Sequence, residues 1–123
     1  MVFTSETQLI NYMKQALVRH DEENPVLEAK YRAYRGAALV RIFENQTRDE
    51  QVSESTNRFN GIGFTGSDAK FLTSLAKQYQ RKGFISDKQD VYLRRKIVKY
   101  AGQLVRGSIA EGKIKKENGK YVW

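Results

Sequence analysis

Tyr79-Gln80-Arg81-Lys82-Gly83-Phe84-Ile85-Ser86-Asp87-Lys88-Gln89 ends one helix and begins another within a few residues. Gly83 follows two cations and suits a left-handed C-cap, with Phe84 expected to pack back on the last turn. Ser86 and Gln89, three residues apart, form a capping box. Upstream, Leu72, Leu75, Ala76 and Tyr79 recur at helical spacing behind a cap at Thr65 or Ser67, with Asp68 in the first turn. Downstream, Leu93, Ile97, Tyr100, Ala101 and Leu104 line a fourth helix that is expected to run to about Arg106 and stop at Gly107. The stretch therefore predicts a tight helical hairpin.

Toward the N-terminus the period remains helical, and the chain has a single proline, Pro25. Ser5 with Gln8 opens a first helix expected to reach His20, with Leu9, Met13 and Leu17 on one face. Asn24 caps a second helix whose first residue is Pro25. That helix is expected to reach about Glu44, with Leu27, Tyr31, Tyr34, Ala38 and Ile42 inward and a weaker strip of Ala29, Ala33 and Val40 opposite. Two apolar strips suggest contact with two neighbours or with a second copy of the chain. Residues 46–60 are polar, without a stripe, and read as a linker. Toward the C-terminus, Asn118-Gly119 between short alternating segments predicts a β-hairpin with Ile114 opposite Trp123 and Lys116 opposite Tyr121. A lone hairpin is marginal in water, so it must pack on the helices.

The expected fold is mainly α: two helical hairpins (four helices) joined by a polar linker, with a short C-terminal β-hairpin. Residues 1–45 form the first hairpin, assigned to self-association or partner contact. Residues 61–123 form the second hairpin with its β-hairpin, assigned to nucleic acid.

Charge supports that division. Residues 1–57 carry 7 Lys and Arg against 9 Asp and Glu, whereas residues 58–123 carry 15 against 5. With about 100° per helical residue, Lys70, Lys77 and Arg81 share the side of helix three opposite Leu72, Leu75 and Tyr79. Lys88, Arg95, Lys99 and Arg106 do the same on helix four, with Tyr92 in the row and Lys96 at its edge. No carboxylate occurs between Arg94 and Arg106. Solvated helices ordinarily mix Glu with Lys one turn apart, so aligned cations without acidic partners point to a polyanion. Lys113, Lys115 and Lys116 add charge near the hairpin, and Tyr92, Tyr121 and Trp123 are accessible aromatics on which a base could stack.

Gly61-Ile62-Gly63-Phe64-Thr65-Gly66 matches G-x-G-x-x-G, but Ser53 to Asn60 is too polar for the buried strand that a dinucleotide site requires. Gly61, Gly63 and Gly66 are instead candidates for holding one phosphate on backbone amides at a helix start.

Asn60-Gly61-Ile62-Gly63-Phe64, Asp68-Ala69-Lys70-Phe71-Leu72-Thr73-Ser74-Leu75-Ala76, Gly83, Lys88-Gln89, Arg94-Arg95-Lys96 and Lys99-Tyr100-Ala101-Gly102-Gln103-Leu104 together resemble a small basic helical module. It occurs in bacteriophage and mobile-element proteins associated with helicase and recombination functions. The resemblance covers about residues 57–105 and implies a phage protein of DNA metabolism.

Catalysis has little to build on. The chain has one histidine and no cysteine, which excludes thiolate zinc sites and histidine triads. His20 beside Asp21 suits the end of helix one as a capping cation. Asp21-Glu22-Glu23 on one turn does not converge as a nuclease site does, and Glu111-Gly112-Lys113 lacks an upstream acidic partner. No catalytic residue, metal ligand or cofactor is expected. No apolar run is long enough to span a bilayer, the start lacks a secretory leader, and the expected compartment is the cytoplasm, that of the host for a phage protein.

The expected function is non-catalytic, largely sequence-independent DNA binding in phage replication or recombination, with single strands favoured over duplex. Helicases or recombinases and a second copy of the chain are the expected associates. One alternative is a winged-helix duplex binder, which requires the fourth helix to break near Gly102. Another is a phage protein that binds and inhibits or recruits a host protein through its acidic half.

Overall fold

The computed structural model describes residues 1–52 and 63–123, with side chains for 1–46 and 63–123. Along the chain lie β1 (Val2–Phe3), α1 (Glu6–Leu17), α2 (Pro25–Val52), α3 (Asp68–Lys82), α4 (Asp87–Ile97), a single 3₁₀ turn (Val98–Tyr100), α5 (Ala101–Ala110), β2 (Lys115–Glu117) and β3 (Lys120–Val122). The protein is mainly helical with a C-terminal antiparallel hairpin, as the sequence predicts.

The local signals fix the geometries they predict. Ser5 Oγ accepts from Gln8 N at 3.2 Å, and Asn24 Oδ1 accepts from Leu27 N at 3.2 Å. Ser86 and Gln89 complete their capping box at 3.1 and 2.8 Å. Gly83 ends α3 at φ 78° with its amide on Tyr79 O at 2.8 Å. Asn118 (φ 51°) and Gly119 (φ 76°) turn the hairpin, and Lys116 does pair with Tyr121. The hairpin is also extended: β1 pairs with β3, Val2 opposite Val122 and Phe3 opposite Tyr121, giving a sheet of order β1-β3-β2.

Several expectations are corrected. Helix α2 does not end near Glu44 but continues to Val52, so residues 46–52, expected as linker, are helical; residues 53–62 lie outside the described ones. On α2, Ala38 and Ile42 face inward as expected, but they are joined there by Arg35 and Leu39, while Tyr34, Ala29 and Ala33 are exposed. Phe84 does not fold back on α3; it is exposed, and Ile85 is buried in its place. Ser67 makes no side-chain cap on α3. The fourth helix is broken just before Gly102, at Val98–Tyr100, and its second part runs past Gly107 to Ala110.

The core joins both halves of the chain. Leu9, Met13 and Leu17 of α1 and Leu39 and Ile42 of α2 are buried in one cluster with Leu72, Leu75, Leu93, Ile97, Leu104, Val105 and Ile114. Helix α2 packs on α3, α4 and α5, and α1 on α5. Residues 1–45 therefore share a core with the basic hairpin and do not form a separately packed one. No described helix is long and apolar enough to cross a membrane.

Candidate nucleic-acid interface

The basic half contains few acids, and two of the three on its helices, Asp68 and Asp90, are buried while Asp87 stays at the surface. Asp90, the fourth residue of α4, is 1% exposed and meets the fully buried Arg35 of α2 in a two-point bond, Nε to Oδ1 and Nη2 to Oδ2, both 2.8 Å. A guanidinium's planar fork suits such pairing. Arg35 Nη1 also donates to the carbonyls of Leu17, at 3.4 Å, and Arg19. The cation that satisfies the end of α1 is thus Arg35, whereas His20, expected there, is exposed beyond the helix. Around this pair, Arg32 Nη1 bonds Asp87 Oδ1 at 2.7 Å, and Arg94 Nε lies 3.5 Å from Asp90 Oδ2. Asp87 and Asp90 sit in the first turn of α4, where the positive helix end favours them. The Asp87 hydrogen bond raises the Arg32 pKa above its ordinary value.

Asp68, at the first position of α3, is 4% exposed and receives Lys99, with Lys96 Nζ 3.3 Å away. These two members of the expected cationic row are paired across the α3–α4 hairpin, not free for an outside ligand. The Lys99 hydrogen bond holds the Asp68 carboxyl below the usual carboxylate range against the opposing effect of burial, and raises Lys99 above its ordinary value. For a depressed acid, the added stability is complete above the unfolded pKa of about 4 and disappears as pH falls through the folded value. For Lys99 it is lost only as pH rises through a value above about 10.4. Asp68→Asn is therefore expected to be less stable than wild type by a constant margin from about pH 5 to 9. The margin should narrow below about pH 4; urea titrations at several pH values check this, and a margin that persists in acid would rule out the ion pair as its source.

The outer face is different. With Phe71 as zero and about 100° per residue, the buried Leu72 and Leu75 and the partly buried Tyr79 cluster near 75°, while Lys70, Lys77 and Arg81 cluster near −100°. All three cations are exposed, as are Lys88 and Arg95 on α4, and none forms an ion pair with a described carboxylate. Lys77 Nζ lies 6.0 Å above the Phe43 ring of α2. The Asp68–Lys96 and Gln78–Gln89 contacts fix α3 and α4 as antiparallel neighbours, so their cationic rows flank one seam. In that seam the rings of Phe71 and Tyr92 meet at 6.2 Å. Arg106 belongs to α5, beyond the break, and lies over Gly102. Lys113 is 3.5 Å from Glu111 Oε2, with Arg41 on the same carboxylate. Lys115 and Lys116 are exposed on β2.

Tyr121 and Trp123, expected as accessible, are partly buried against the core. The Trp123 ring packs edge-on to Tyr12 at 5.7 Å, and its backbone is tied to Met1 at 3.0 and 3.1 Å.

At Gly63 the glycine loop does not present the expected phosphate cradle. Three described amides already have partners: Gly63 N on Gln103 Oε1 at 2.8 Å, Phe64 N on Gln46 Oε1 at 2.8 Å, and Thr65 N on Tyr100 Oη at 3.2 Å. Gln103 also donates back to Gly63 O at 3.1 Å. A Cβ on Gly63, at φ 85°, would fall 2.6 Å from Gln46. Gly66 stays exposed at φ 58°, and Gly61 lies outside the described residues. Here the glycines let the loop close on two glutamines, which no sequence motif marks.

Among the described residues, no three His, Asp or Glu side chains gather as a metal site would require. Comparison with known proteins finds no family whose pattern this chain matches, and no curated protein or solved structure similar to it.

Proposed function

We propose that this protein binds DNA without catalysing a reaction on it, holding the phosphate backbone across the outer face of α3 and α4. One observation carries the reading: Asp68, Asp87 and Asp90 are all committed to particular cations, leaving Lys70, Lys77, Arg81, Lys88 and Arg95 exposed without a described acidic partner. The ion pairs between the two halves of the chain join Arg32 and Arg35 to acids of α4 and Arg41 to Glu111 after α5, and so remove negative charge from the basic half. Like charges held on adjacent helices repel one another, and a polyanion relieves that repulsion while releasing its counterions. Bonds to phosphates alone carry no sequence information, so binding is sequence-independent. The resemblance to the phage and mobile-element module supports a setting in phage replication or recombination, beside a helicase or recombinase.

Lys77→Glu combined with Arg95→Glu is expected to weaken binding to labelled DNA at least about tenfold at moderate salt. The slope of log affinity against log salt should fall by about 0.7–0.9 for each phosphate no longer neutralised. Fluorescence anisotropy at two salt concentrations measures both, with circular dichroism as the control for helicity. Unchanged affinity in a folded variant would remove this face from the interface.

A second reading has its own observations. The break at Val98–Tyr100 and the exposed lysines of β2 in the β2–β3 hairpin are the features that a winged-helix duplex binder requires. Under that reading Lys115→Glu with Lys116→Glu lowers duplex affinity and leaves single-strand affinity unchanged; an equal change for both would count against the wing.

A further inference from the structure

The α3–α4 seam leaves two aromatic rings in water. Phe71 is 39% and Tyr92 50% exposed, and their rings meet at an interplanar angle of 66°. Neither is needed to close the core, which Leu72, Leu75 and Leu93 fill from the same two helices at 0–2% exposure. Single exposed apolar residues are ordinary on protein surfaces. This pair stands apart because of its surroundings. Lys88, Arg95 and Lys96 lie one helical turn from Tyr92, and Lys70 adjoins Phe71 in sequence. Elsewhere the chain places Arg19, Lys77 and Lys116 over the faces of Tyr12, Phe43 and Tyr121. Among the described residues no cation covers Phe71 or Tyr92, although several are within a turn. Asp68, one turn before Phe71, is occupied by Lys96 and Lys99.

Half-exposed rings bordered by Lys70, Lys88 and Arg95, which have no described acidic partner, suit a ligand that is both flat and anionic at short repeat. An apolar protein surface would use the rings and waste the cations, and a duplex would use the cations and leave the rings, because its bases are stacked inside. We propose that Phe71 and Tyr92 form a stacking platform for the unpaired bases of single-stranded DNA, with Lys70, Lys88 and Arg95 holding the adjoining phosphates. The proposal rests on the DNA-binding reading above and specifies the form of DNA bound.

The test titrates wild type, Phe71→Ala with Tyr92→Ala, Phe71→Leu with Tyr92→Leu, and Lys88→Glu with Arg95→Glu against labelled oligothymidine and a duplex oligonucleotide. Both aromatic-free variants should lose about tenfold or more for oligothymidine, in line with the usual effect of removing a stacked ring. Their duplex affinity should not change, whereas the charge reversal weakens both ligands. The leucine variant keeps apolar bulk on the surface, so its loss reports the missing rings and not a gap in packing; a matched thermal melt verifies its fold. If the leucine variant binds oligothymidine as wild type does, or loses both ligands equally, the platform is overturned while DNA binding stands. If wild type binds neither ligand, the DNA reading itself fails. Tighter binding of oligouridine than oligothymidine overturns the assignment to DNA.

Discussion

Asp90→Ala is expected to lower the free energy of unfolding by about 3–5 kcal/mol, a large share of the ~5–15 kcal/mol that a domain of this size commands. Burial sets the scale. Arg35 is fully enclosed and Asp90 is 1% exposed, so each ion has given up its water and retains only its partners. Removing Asp90 leaves Arg35 with the carbonyls of Leu17 and Arg19 and with Glu28 Oε1 at 3.9 Å, too distant for a hydrogen bond. Arg32 and Arg94, whose Nε atoms are buried without a hydrogen bond, then face Arg35 without the carboxylate between them. Arg35→Ala should also be destabilising by the converse route, leaving the buried Asp90 with only its longer contacts to Arg32 and Arg94 and the end of α1 without its donor. The informative comparison is Arg35→Met with Asp90→Leu. A buried pair replaced by apolar residues of similar volume is often neutral or better, so the double variant should be more stable than either alanine variant, although Leu17 O and Arg19 O still lose a donor. Urea unfolding followed by circular dichroism measures all three, and a double variant as unstable as the sum of the single ones would show that the pair acts independently of its mutual charge.

The same network marks the limit of what can be read from the chain. Signals confined to a few consecutive residues transfer well: Ser86 with Gln89, Gly83 and Asn118-Gly119 each fix a local geometry that tertiary packing has no reason to override. Arg35 cannot be found in this way. Its burial depends on Asp90, 55 residues away, and an arginine beside Tyr34 reads as surface, so a wheel centred on the tyrosines finds Ala38 and Ile42 but puts Tyr34 where Arg35 is buried. The continuation of α2 past Glu44 leaves no apolar stripe to follow, yet Glu, Gln and Arg are good helix formers without one. The break at Val98–Tyr100 contains neither glycine nor proline, and β1 is only two residues long, paired with the opposite end of the chain. For the candidate interface, the number of cations is legible and their partners are not. Lys96 and Lys99 belong on the row by spacing, yet the fold turns them to Asp68. Phe71 escapes a reading by faces because it lies between the apolar and the cationic sides of its helix, which is where a neighbouring helix meets it.

Gly36→Ala should destabilise the protein although alanine is the better helix former. Gly36 lies inside α2, where exchanging glycine for alanine ordinarily contributes about 0.5–1 kcal/mol. Here a Cβ would lie 2.3–2.7 Å from three atoms of the Tyr79 ring, well inside van der Waals contact. The ring is held between α2 and α3, so relief requires either rotating it off the core or separating two helices that otherwise pack closely. Overpacking of this kind costs about 1–3 kcal/mol, which exceeds the gain in propensity and sets the sign. The clash is with a side chain and not with backbone, so it can be removed. In a Tyr79→Ala background, itself destabilised by the absence of the ring, Gly36→Ala should become neutral or stabilising. A double-mutant cycle on thermal or urea unfolding reads the reversal directly. Were Gly36→Ala equally harmful with and without the Tyr79 ring, the close approach of α2 to α3 at this point would not be its cause, and the packing that places the two cationic helices against the N-terminal half would need another account.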